Sequence, residues 1–254
     1  MLDNERQIKI IEILEKEKKV TVNDLVKTLF ASPATIRRDL SEMANRGLLK
    51  RIHGGAILYA SSSQESSILI RENSNKDEKL MVCAKAVEYI KNNQSIFLDS
   101  SSTVANLVEY LNERKYLTII TTGLSCASLL TQKTPFTIYI PGGFIQSQSN
   151  SITGSTVIES LQKLHTDVFV FSCSGLSLDG VISEATIEQS EIKKTMANNS
   201  ATRILLVDSS KIGKKYLAES VNLKDVDILI TDKKLDLKLQ EVLMDNKVQI
   251  VICN

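Results

Sequence analysis

The sequence predicts two domains, a small and mainly helical one followed by a larger α/β domain with a mostly parallel sheet. Its 254 residues exceed the roughly 100–200 residues of one ordinary domain. Amphipathic helical patterns and a short hairpin occupy the first 58 residues, whereas short apolar strands alternate with helices from residue 76 onward. Apolar strands separated by helices are typical of a parallel sheet that is covered on both faces. We therefore place one domain at 3–58, a polar, serine-rich linker at 59–75 and a second domain at 76–254.

The first domain opens with two amphipathic helices. In "RQIKIIEILEKEKK" the apolar residues Ile8, Ile11 and Leu14 recur at helical spacing, with charges on the opposite face. In "VTVNDLVKTLF" the stripe is formed by Leu25, Val26 and Leu29, with Thr21 and Asn23 as candidate caps. A compact helical unit begins here.

A third helix is predicted over 33–46. Ser32 suits the N-cap, Pro33 suits the first helical position, and Gly47 suits the residue that ends a helix. At about 100° per residue, Ile36, Leu40 and Met43 form the buried face. The opposite face carries small, polar and cationic residues, namely Ala34, Arg38, Ser41 and Asn45, with Arg37 on one flank and Asp39 and Glu42 on the other.

A basic hairpin follows, since "LLKRIHGGAIL" predicts two short strands with Gly54 and Gly55 in the turn. Between residues 33 and 53 there are five Lys and Arg against two acids. A helix–turn–helix at about 20–39 with a basic wing fits a DNA major groove, where arginine reads guanine or binds phosphate. The candidate DNA contacts are Thr21, Ser32, Ala34, Thr35, Arg37, Arg38, Ser41, Asn45, Lys50, Arg51 and His53. The alternative is a solvated helix in which Arg38 pairs with Glu42.

Composition limits the other classes of function. Net charge is +1, with 11 Lys and Arg against 8 acids in residues 1–60 and 20 against 22 beyond, an asymmetry too mild to imply nucleic acid by itself. The four cysteines are widely spaced in apolar stretches, which indicates reduced core thiols of a cytoplasmic protein. Two histidines argue against a histidine metal site, and no apolar run approaches a membrane span. We expect no metal, no cofactor and no membrane partner.

The second domain contains seven candidate strands, at 95–99, 117–121, 136–140, 167–172, 203–208, 227–231 and 248–253. Polar or glycine-rich loops follow three of them, at 98–103, 121–123 and 141–143. Ligands of parallel sheets bind beyond the carboxyl ends of strands, and N–H groups at helix starts favour anions. These loops predict an anion site, although serine and threonine at helix starts also serve as caps.

The motifs "ERQIKIIEIL", "VTVNDL", "SPATIRRDLSEMANRGLLKRIHGGA" and "DSSKIG" resemble the DeoR family of bacterial transcriptional repressors over residues 3–58 and 76–232. The stretch from Thr35 to Leu40, followed by Arg51 to Ala56, is the most specific part. The resemblance implies a winged helix–turn–helix that binds operator DNA. It also implies a second domain related to ribose-5-phosphate isomerases and CoA-transferases that senses a phosphorylated sugar.

The same resemblance supplies the effector-binding candidates Asp99, Ser100, Ser101, Ser102, Thr103, Thr122, Gly123, Gly142, Gly143, Ser174, Gly175, Glu184, Lys193 and Lys211. Lys211 is the expected cationic partner of the effector, with an ordinary surface lysine as the alternative. Glu184 and Lys193 are weaker candidates, and the alternative for each is a solvent-exposed side chain without a role in binding. The chain departs from the family at Ser101, where glycine is usual, and at Thr122, where asparagine is usual. In "SCSGLS", Ser174 and Ser177 stand where related isomerases have carboxylates, and a serine without a neighbouring base cannot abstract a proton.

The resulting prediction is a transcriptional repressor of a sugar or sugar-phosphate catabolic operon, modulated by a phosphorylated sugar and assembled as a dimer or higher oligomer. One alternative is a sugar-phosphate isomerase fused to a DNA-binding domain. The other is a DNA-binding scaffold with an empty second domain. The sequence leaves open which sugar, which operon and whether the effector releases or promotes DNA binding.

Overall fold

The structure, a computed structural model, describes residues 3–57 and 67–253. The chain divides into two units, Met1–Ser74 and Asn75–Asn254, each with its own hydrophobic core. Residue 58, where the predicted first domain ends, and residues 59–66 of the predicted linker lie outside the described residues.

The first unit consists, in its described part, of helices around a small antiparallel sheet. The helices are α1 Asp3–Glu17, α2 Val22–Leu29, α3 Pro33–Asn45 and α4 Ile68–Asn73. The strands are β1 Lys19–Thr21, β2 Lys50–Ile52 and β3 Gly55–Ile57, in the order β1-β3-β2. The three predicted helices and the hairpin are confirmed. Helix α4 falls inside the predicted linker, yet its Ile70 packs into the core of this unit.

The ends of α2 and α3 follow from local chemistry. Thr21 Oγ1 accepts a hydrogen bond from the Asp24 amide, and Ser32 Oγ accepts one from the Thr35 amide. Both side chains satisfy N–H groups that the first turn of a helix leaves without a partner. Gly47 follows the end of α3 with φ +69°, a left-handed conformation that favours glycine.

The turn of the hairpin differs from the prediction in one residue. Gly54 is in the turn with φ +73°, but Gly55 begins β3 and pairs with Thr21 of β1. A Cβ on Gly55 would lie 2.0 Å from the carbonyl oxygen of Val20, so glycine is needed for this close approach. Strand β1 was not predicted, because three residues are too few to show a period.

The second unit is built on a parallel sheet of seven strands. Its strands, together with those of two small antiparallel sheets, are β4 Ser95–Leu98, β5 Thr118–Thr121, β6 Thr137–Tyr139, β7 Phe144–Gln146, β8 Ser151–Thr153, β9 Thr166–Ser172, β10 Gly175–Leu176, β11 Ile182–Glu184, β12 Ser200–Val207, β13 Ala218–Glu219, β14 Ile228–Thr231 and β15 Gln249–Ile252. The large sheet has the order β15-β14-β12-β9-β4-β5-β6, and each neighbouring pair is parallel. These are the seven predicted strands, and the predicted fold class is confirmed.

Helices cover both faces of this sheet. They are α5 Lys76–Ala86, α6 Ser102–Ala105, α7 Leu124–Lys133, α8 Ser155–Leu161, α9 Ile187–Asn198 and α10 Leu237–Asp245, with 3-10 turns at Val87–Tyr89, Asn106–Glu113, Ser209–Lys211 and Leu223–Asp225. Phe97 of β4 packs into one core, whereas its neighbours Ile96 and Leu98 pack into the other. Alternate side chains of a strand point to opposite faces, so β4 supplies both cores.

Within residues 3–57 and 67–253, no helix combines the length and the apolar composition needed to cross a bilayer.

Candidate functional site

Helix α3 presents a polar and cationic face to solvent. Ile36, Leu40 and Met43 are fully buried, as the helical pattern predicted. The exposed residues are the small, polar and cationic ones of the predicted outer face, namely Ala34, Arg37, Arg38, Ser41 and Asn45. The helix therefore offers solvent a surface of the kind that enters a groove.

The hairpin joins this surface through Arg51. Its Nη1 donates to the carbonyl oxygen of Arg37 at 3.2 Å and to Ser41 Oγ at 2.6 Å. Lys50 and His53 are exposed on the same hairpin. The structure thus brings one predicted wing cation, Arg51, into contact with α3.

Asp39, which was predicted on a flank of α3 without regard to its burial, is 1% exposed. Arg6 of α1 donates to it from Nε (2.5 Å to Oδ2) and from Nη2 (3.1 Å to Oδ1). A helical wheel shows only which way a side chain points, whereas burial here depends on α1 packing beside α3. Arg6 was missed for the same reason, and it anchors α3 to α1 by a two-pronged charged contact.

Thr21 and Ser32 have the capping roles predicted for them, while their DNA contacts and that of Thr35 stay predictions. Thr21 and Ser32 are the caps of α2 and α3, and Ser32 Oγ lies 2.9 Å from Thr35 Oγ1. Thr21 and Ser32 are exposed and Thr35 is half-buried.

In the second unit, polar residues meet at the carboxyl end of the parallel sheet, beginning with Asp99 after β4. Asp99 Oδ1 accepts from the amide of Ser101 at 2.9 Å and from its hydroxyl at 2.6 Å. Asp99 Oδ2 accepts from the amide of Ser172, at the end of β9, at 2.9 Å. The carboxylate therefore ties the loop after β4 to the end of β9.

Lys193 and Glu184 are not solvated, as the weaker interpretation had it, but are each 3% exposed. Lys193 Nζ donates to Glu184 Oε1 at 2.6 Å and to the carbonyl of Ser172 at 2.7 Å, and lies 3.1 Å from Asp99 Oδ2. Burial by itself would lower the pKa of Lys193, but the charges of Glu184 and Asp99 raise it above its usual value. Helix α9 and strand β11 place this pair inside the fold, which their sequence spacing does not reveal.

Lys211 is not an ordinary surface lysine, since its side chain is only 16% exposed and its ammonium group lies among three oxygen atoms. Its Nζ donates to Thr103 Oγ1 at 2.9 Å and to Ser172 Oγ at 2.7 Å, and lies 3.3 Å from Asp208 Oδ2. Burial would raise the pKa of Asp208, but the Lys211 charge and the Ser210 hydrogen bond hold it below its usual value. Lys211 thus joins the loop after β4 to the ends of β9 and β12.

Ser174 has a neighbouring base, contrary to the premise that no base is near it. Its hydroxyl donates to Glu184 Oε2 at 2.9 Å, because β10 and β11 pair antiparallel and bring the two residues together. Ser177 instead bonds the backbone of Val181 within its own turn.

Three glycines of the predicted site, Gly123, Gly143 and Gly175, pack closely against backbone, and one, Gly142, does not. A Cβ on Gly123 would lie 2.9 Å from Ser100 Cα, so glycine lets the loops after β4 and β5 touch. A Cβ on Gly143 would meet the Thr153 carbonyl at 2.6 Å, and one on Gly175 would meet the Lys214 carbonyl at 2.6 Å. Gly142 is exposed with open space beside it. Gly143 and Gly175 thus fit against the chain's own backbone.

The helix that the loop at 98–103 opens is shorter than predicted. Helix α6 has four residues and continues as a 3-10 helix over Asn106–Glu113. The dipole of a helix is the sum of the dipoles of its aligned peptide groups, so a helix of four residues has only a small one. Any anion here is held by local hydroxyls and cations rather than by a long helix.

Sequence reasoning missed four polar residues of this edge, namely Lys79, Ser172, Gln189 and Asp208. Lys79 Nζ donates to Ser102 Oγ at 3.1 Å from α5, and Ser100 Oγ donates to Gln189 Oε1 at 3.0 Å. Ser172 ends β9 and Asp208 directly follows β12, and this position at the end of a strand could have identified both as site residues. Lys79 and Gln189 lie on helices whose charged and polar sequence is typical of exposed positions.

Two buried hydroxyls of the same edge, Thr122 Oγ1 and Thr231 Oγ1, lack a hydrogen-bond partner in the described part of the chain. Buried polar atoms without partners are uncommon and costly, and they are expected where a ligand or water completes a site. No group of three or more histidine, cysteine, aspartate or glutamate residues in the ranges described is arranged to hold a metal ion.

Known proteins give a consistent result for both units. The profile of the DeoR-like helix-turn-helix domain matches residues 6–62, and that of the DeoR C terminal sensor domain matches residues 74–233. The chain is 32% identical to the HTH-type transcriptional regulator GolR of Listeria innocua over 245 residues, 96% of each chain. It is 30% identical to the glycerol-3-phosphate regulon repressor of Escherichia coli over 253 residues, 100% of each chain.

Among solved structures, the ribose 5-phosphate isomerase A of Methanocaldococcus jannaschii matches 55% of each chain with 20% identity and a TM-score of 0.41. The two profiles together span most of the chain, and the regulators match it from end to end. The chain therefore belongs to the DeoR family of helix-turn-helix transcriptional regulators.

Proposed function

We propose that this protein represses a sugar or sugar-phosphate catabolic operon and that a phosphorylated sugar, bound at the carboxyl end of the sensor-domain sheet, modulates its operator binding. The observation that carries the proposal is the position of Lys211, whose ammonium group meets Thr103 and Ser172 at that edge. Relatives named as a repressor of the glycerol-3-phosphate regulon and as a transcriptional repressor support repression and the class of operon.

The DNA-binding half of the proposal rests on the surface of α3 and the hairpin. Arg37 and Arg38 are exposed on the helix, and Lys50 and Arg51 are exposed beside it. The major groove is about 12 Å wide and admits one helix, so this face supplies base contacts and the hairpin supplies phosphate contacts.

The effector-binding half rests on the difference between two lysines. Lys193 lies between two carboxylates, those of Asp99 and Glu184, so its charge is already balanced inside the fold. Lys211 faces one carboxylate, that of Asp208, and retains some exposure. A phosphate dianion needs a cation and hydroxyl donors. Lys211 supplies the cation and Thr103 a hydroxyl that accepts from Lys211 and can donate to a ligand, whereas the Ser172 hydroxyl donates to the Leu206 carbonyl. We therefore assign Lys193 to the scaffold and Lys211 to the ligand.

Control then requires a coupling between the two domains, typically of about 1–3 kcal/mol. A dimer or higher oligomer fits this role, because symmetric regulators bind half-sites about one helical turn apart. In this proposal the protein binds operator DNA in the cytoplasm and uses no cofactor.

The test is fluorescence anisotropy of the full chain on DNA from upstream of its own gene, at two salt concentrations. Glycerol 3-phosphate and a panel of sugar phosphates are compared with their unphosphorylated counterparts as matched controls. We expect sequence-specific binding that one phosphorylated compound shifts and its unphosphorylated form does not. Specific binding that no phosphorylated compound alters would reject the sensor role, and the absence of specific binding after a wider DNA selection would reject the repressor.

An isomerase remains the second candidate because Ser174 donates to Glu184, which gives the edge a serine next to a carboxylate. A catalytic base must reach the substrate proton. Glu184 is buried and both of its oxygens are engaged, one by Lys193 and one by Ser174. Incubation with ribose 5-phosphate, followed by NMR, decides the point: turnover that Glu184→Gln abolishes would establish an enzyme, and its absence favours the regulator.

A further inference from the structure

A long segment of the sensor domain carries no charged side chain. It comprises residues 134–158, which are 25 consecutive uncharged residues in a chain that is 24% charged. Thirteen of them are exposed, so the segment is not simply part of the core. Depletion of charge together with enrichment of aromatic residues is the signature of the centre of a protein–protein interface.

The β7–β8 hairpin forms the middle of this segment. All three residues of β7 are exposed, with Phe144 at 77% and Ile145 at 62%. Neighbouring side chains of a strand point to opposite faces, so β7 leaves an apolar side chain uncovered on each of its faces. Tyr139 and Ile140, shortly before it in the chain, are also exposed. An apolar surface of this kind marks an interaction site.

The edge of this hairpin is open as well. In the chain as described, β7 pairs only with β8, through the register Phe144 with Thr153 and Ile145 with Ile152. Strand β7 contains no lysine and no proline, residues that commonly prevent an edge strand from pairing with another chain.

The absence of charge identifies the occupant. In a two-fold interface each patch faces a copy of itself, so a charged residue near the axis meets its own like charge. An uncharged patch avoids that repulsion and offers a different partner no charge to complement. We infer that the β7–β8 hairpin is the surface through which two copies of this chain associate. This inference rests on the assembly of like copies in the proposed function and names the surface.

The hairpin is also fixed to the loops of the proposed effector site. The Ile152 amide donates to the Thr122 carbonyl at 2.8 Å, and the Leu124 amide donates to the Asn150 carbonyl at 3.0 Å. Gln189 Nε2 donates to Ser151 Oγ at 2.8 Å while Gln189 Oε1 accepts from Ser100. A dimer formed here has its contact strand hydrogen-bonded, through β8, to the loops after β4 and β5.

The size of the surface sets the strength to expect. A standard interface uses about 20–30 residues from each partner, more than the thirteen exposed residues of this segment. The dimer is therefore expected to depend on protein concentration rather than to be permanent.

The experiment is sedimentation velocity of the full chain over a wide range of concentration, without DNA or effector. Phe144→Asp places two new like charges in the interface, and Ile145→Asp does so on the other face of β7. The matched control is Leu237→Asp, since Leu237 is 72% exposed but lies between the charged residues Asp236 and Lys238. Thermal unfolding of each variant verifies that it folds.

We expect the unmodified chain to form a dimer and Phe144→Asp or Ile145→Asp to raise its dissociation constant by about tenfold or more, with Leu237→Asp unchanged. A chain that stays monomeric would overturn the inference and leave the hairpin to a different protein. A dimer that both hairpin variants leave intact would overturn the assignment of the interface to this hairpin, although the chain would still form a dimer. Anisotropy on DNA, measured separately, reports failure of the proposed function itself.

Discussion

At the scale of single residues, the adjacent residues Arg37 and Arg38 contribute to the DNA-binding unit in different ways. Adjacent positions on a helix do not face each other, and the structure leaves both side chains exposed while the backbone of Arg37 accepts a bond from Arg51. The carbonyl of Arg37 thereby fixes the hairpin to α3. Arg38 belongs to the predicted groove-facing surface with Ala34 and Ser41.

Replacement of Arg38 tests that placement. We expect Arg38→Ala to weaken operator binding by about 1–3 kcal/mol, the cost of losing a two-pronged contact with a base. The measurement is anisotropy on the specific site and on a scrambled duplex. Lys163→Ala, which removes an exposed cation from the sensor domain, is the control and should change neither. Equal affinity of Arg38→Ala and the unmodified chain would contradict the placement.

Replacement of Lys211 tests the sensor site. Hydrogen bonds to charged groups contribute about 1.5–3 kcal/mol, so Lys211→Ala should raise the effector concentration needed for half-maximal response about 10- to 100-fold. DNA affinity without effector should stay the same. The control is Lys215→Ala. The ammonium group of Lys215 lies 3.4 Å from Glu219 Oε1 on an exposed surface. A variant that no longer binds DNA would show that the two roles are not separate.

At the scale of elements, the contact between α1 and α3 decides how firmly the DNA-facing helix is held. Asp39→Ala removes the carboxylate that Arg6 holds by two hydrogen bonds inside the unit. Breaking a buried pair by removing one partner costs about 3–5 kcal/mol. We expect hydrogen exchange of the α1 and α3 amides to become about a hundredfold faster or more.

The matched control on the same helix is Glu42→Ala. Glu42 lies 4.0 Å from Arg46 in a pair whose side chains are about half exposed. Exposed pairs contribute about 0–1 kcal/mol, so exchange should change little. Similar exchange rates in the two variants would show that the buried pair does not hold α3.

The elements themselves were largely predictable. Ser32, Pro33 and Gly47 mark the limits of α3 because capping depends on a few neighbouring residues. Strand β1 and the linker helix α4 were not predictable, since three to six residues carry too little pattern. Their formation depends on β3 and on the core around Ile70, which contact them from elsewhere in the chain.

At the scale of the whole molecule, the four cysteines all belong to the unit Asn75–Asn254. Burial raises the pKa of Cys126 and of Cys173 to about 12 and raises that of Cys83 as well. The reactive form of a thiol is the thiolate, so these three should resist a thiol reagent at pH 8 until the unit unfolds. Half-buried Cys253 should react first.

The measurement is labelling at increasing urea, with the modified cysteine identified by mass spectrometry. Cys253→Ser is the control and should remove the early reaction only. Because the first unit contains no cysteine, the labelling curve reports unfolding of the sensor domain alone. Reaction of Cys83, Cys126 or Cys173 in the native chain as fast as that of Cys253 would contradict their burial.

The sequence alone determined the three helices and the hairpin of the first unit, the buried face of α3, the seven parallel strands and the family. Each of these depends on local pattern: the 3.6-residue period, capping chemistry, apolar runs and a specific motif. Only the tertiary structure decided that Asp39, Glu184 and Lys193 are buried ion-pair members, that Ser174 meets a carboxylate and that Lys211 joins three strands. The physical reason is that burial and pairing of a polar side chain depend on residues 9 to 108 positions away that packing brings within hydrogen-bond distance.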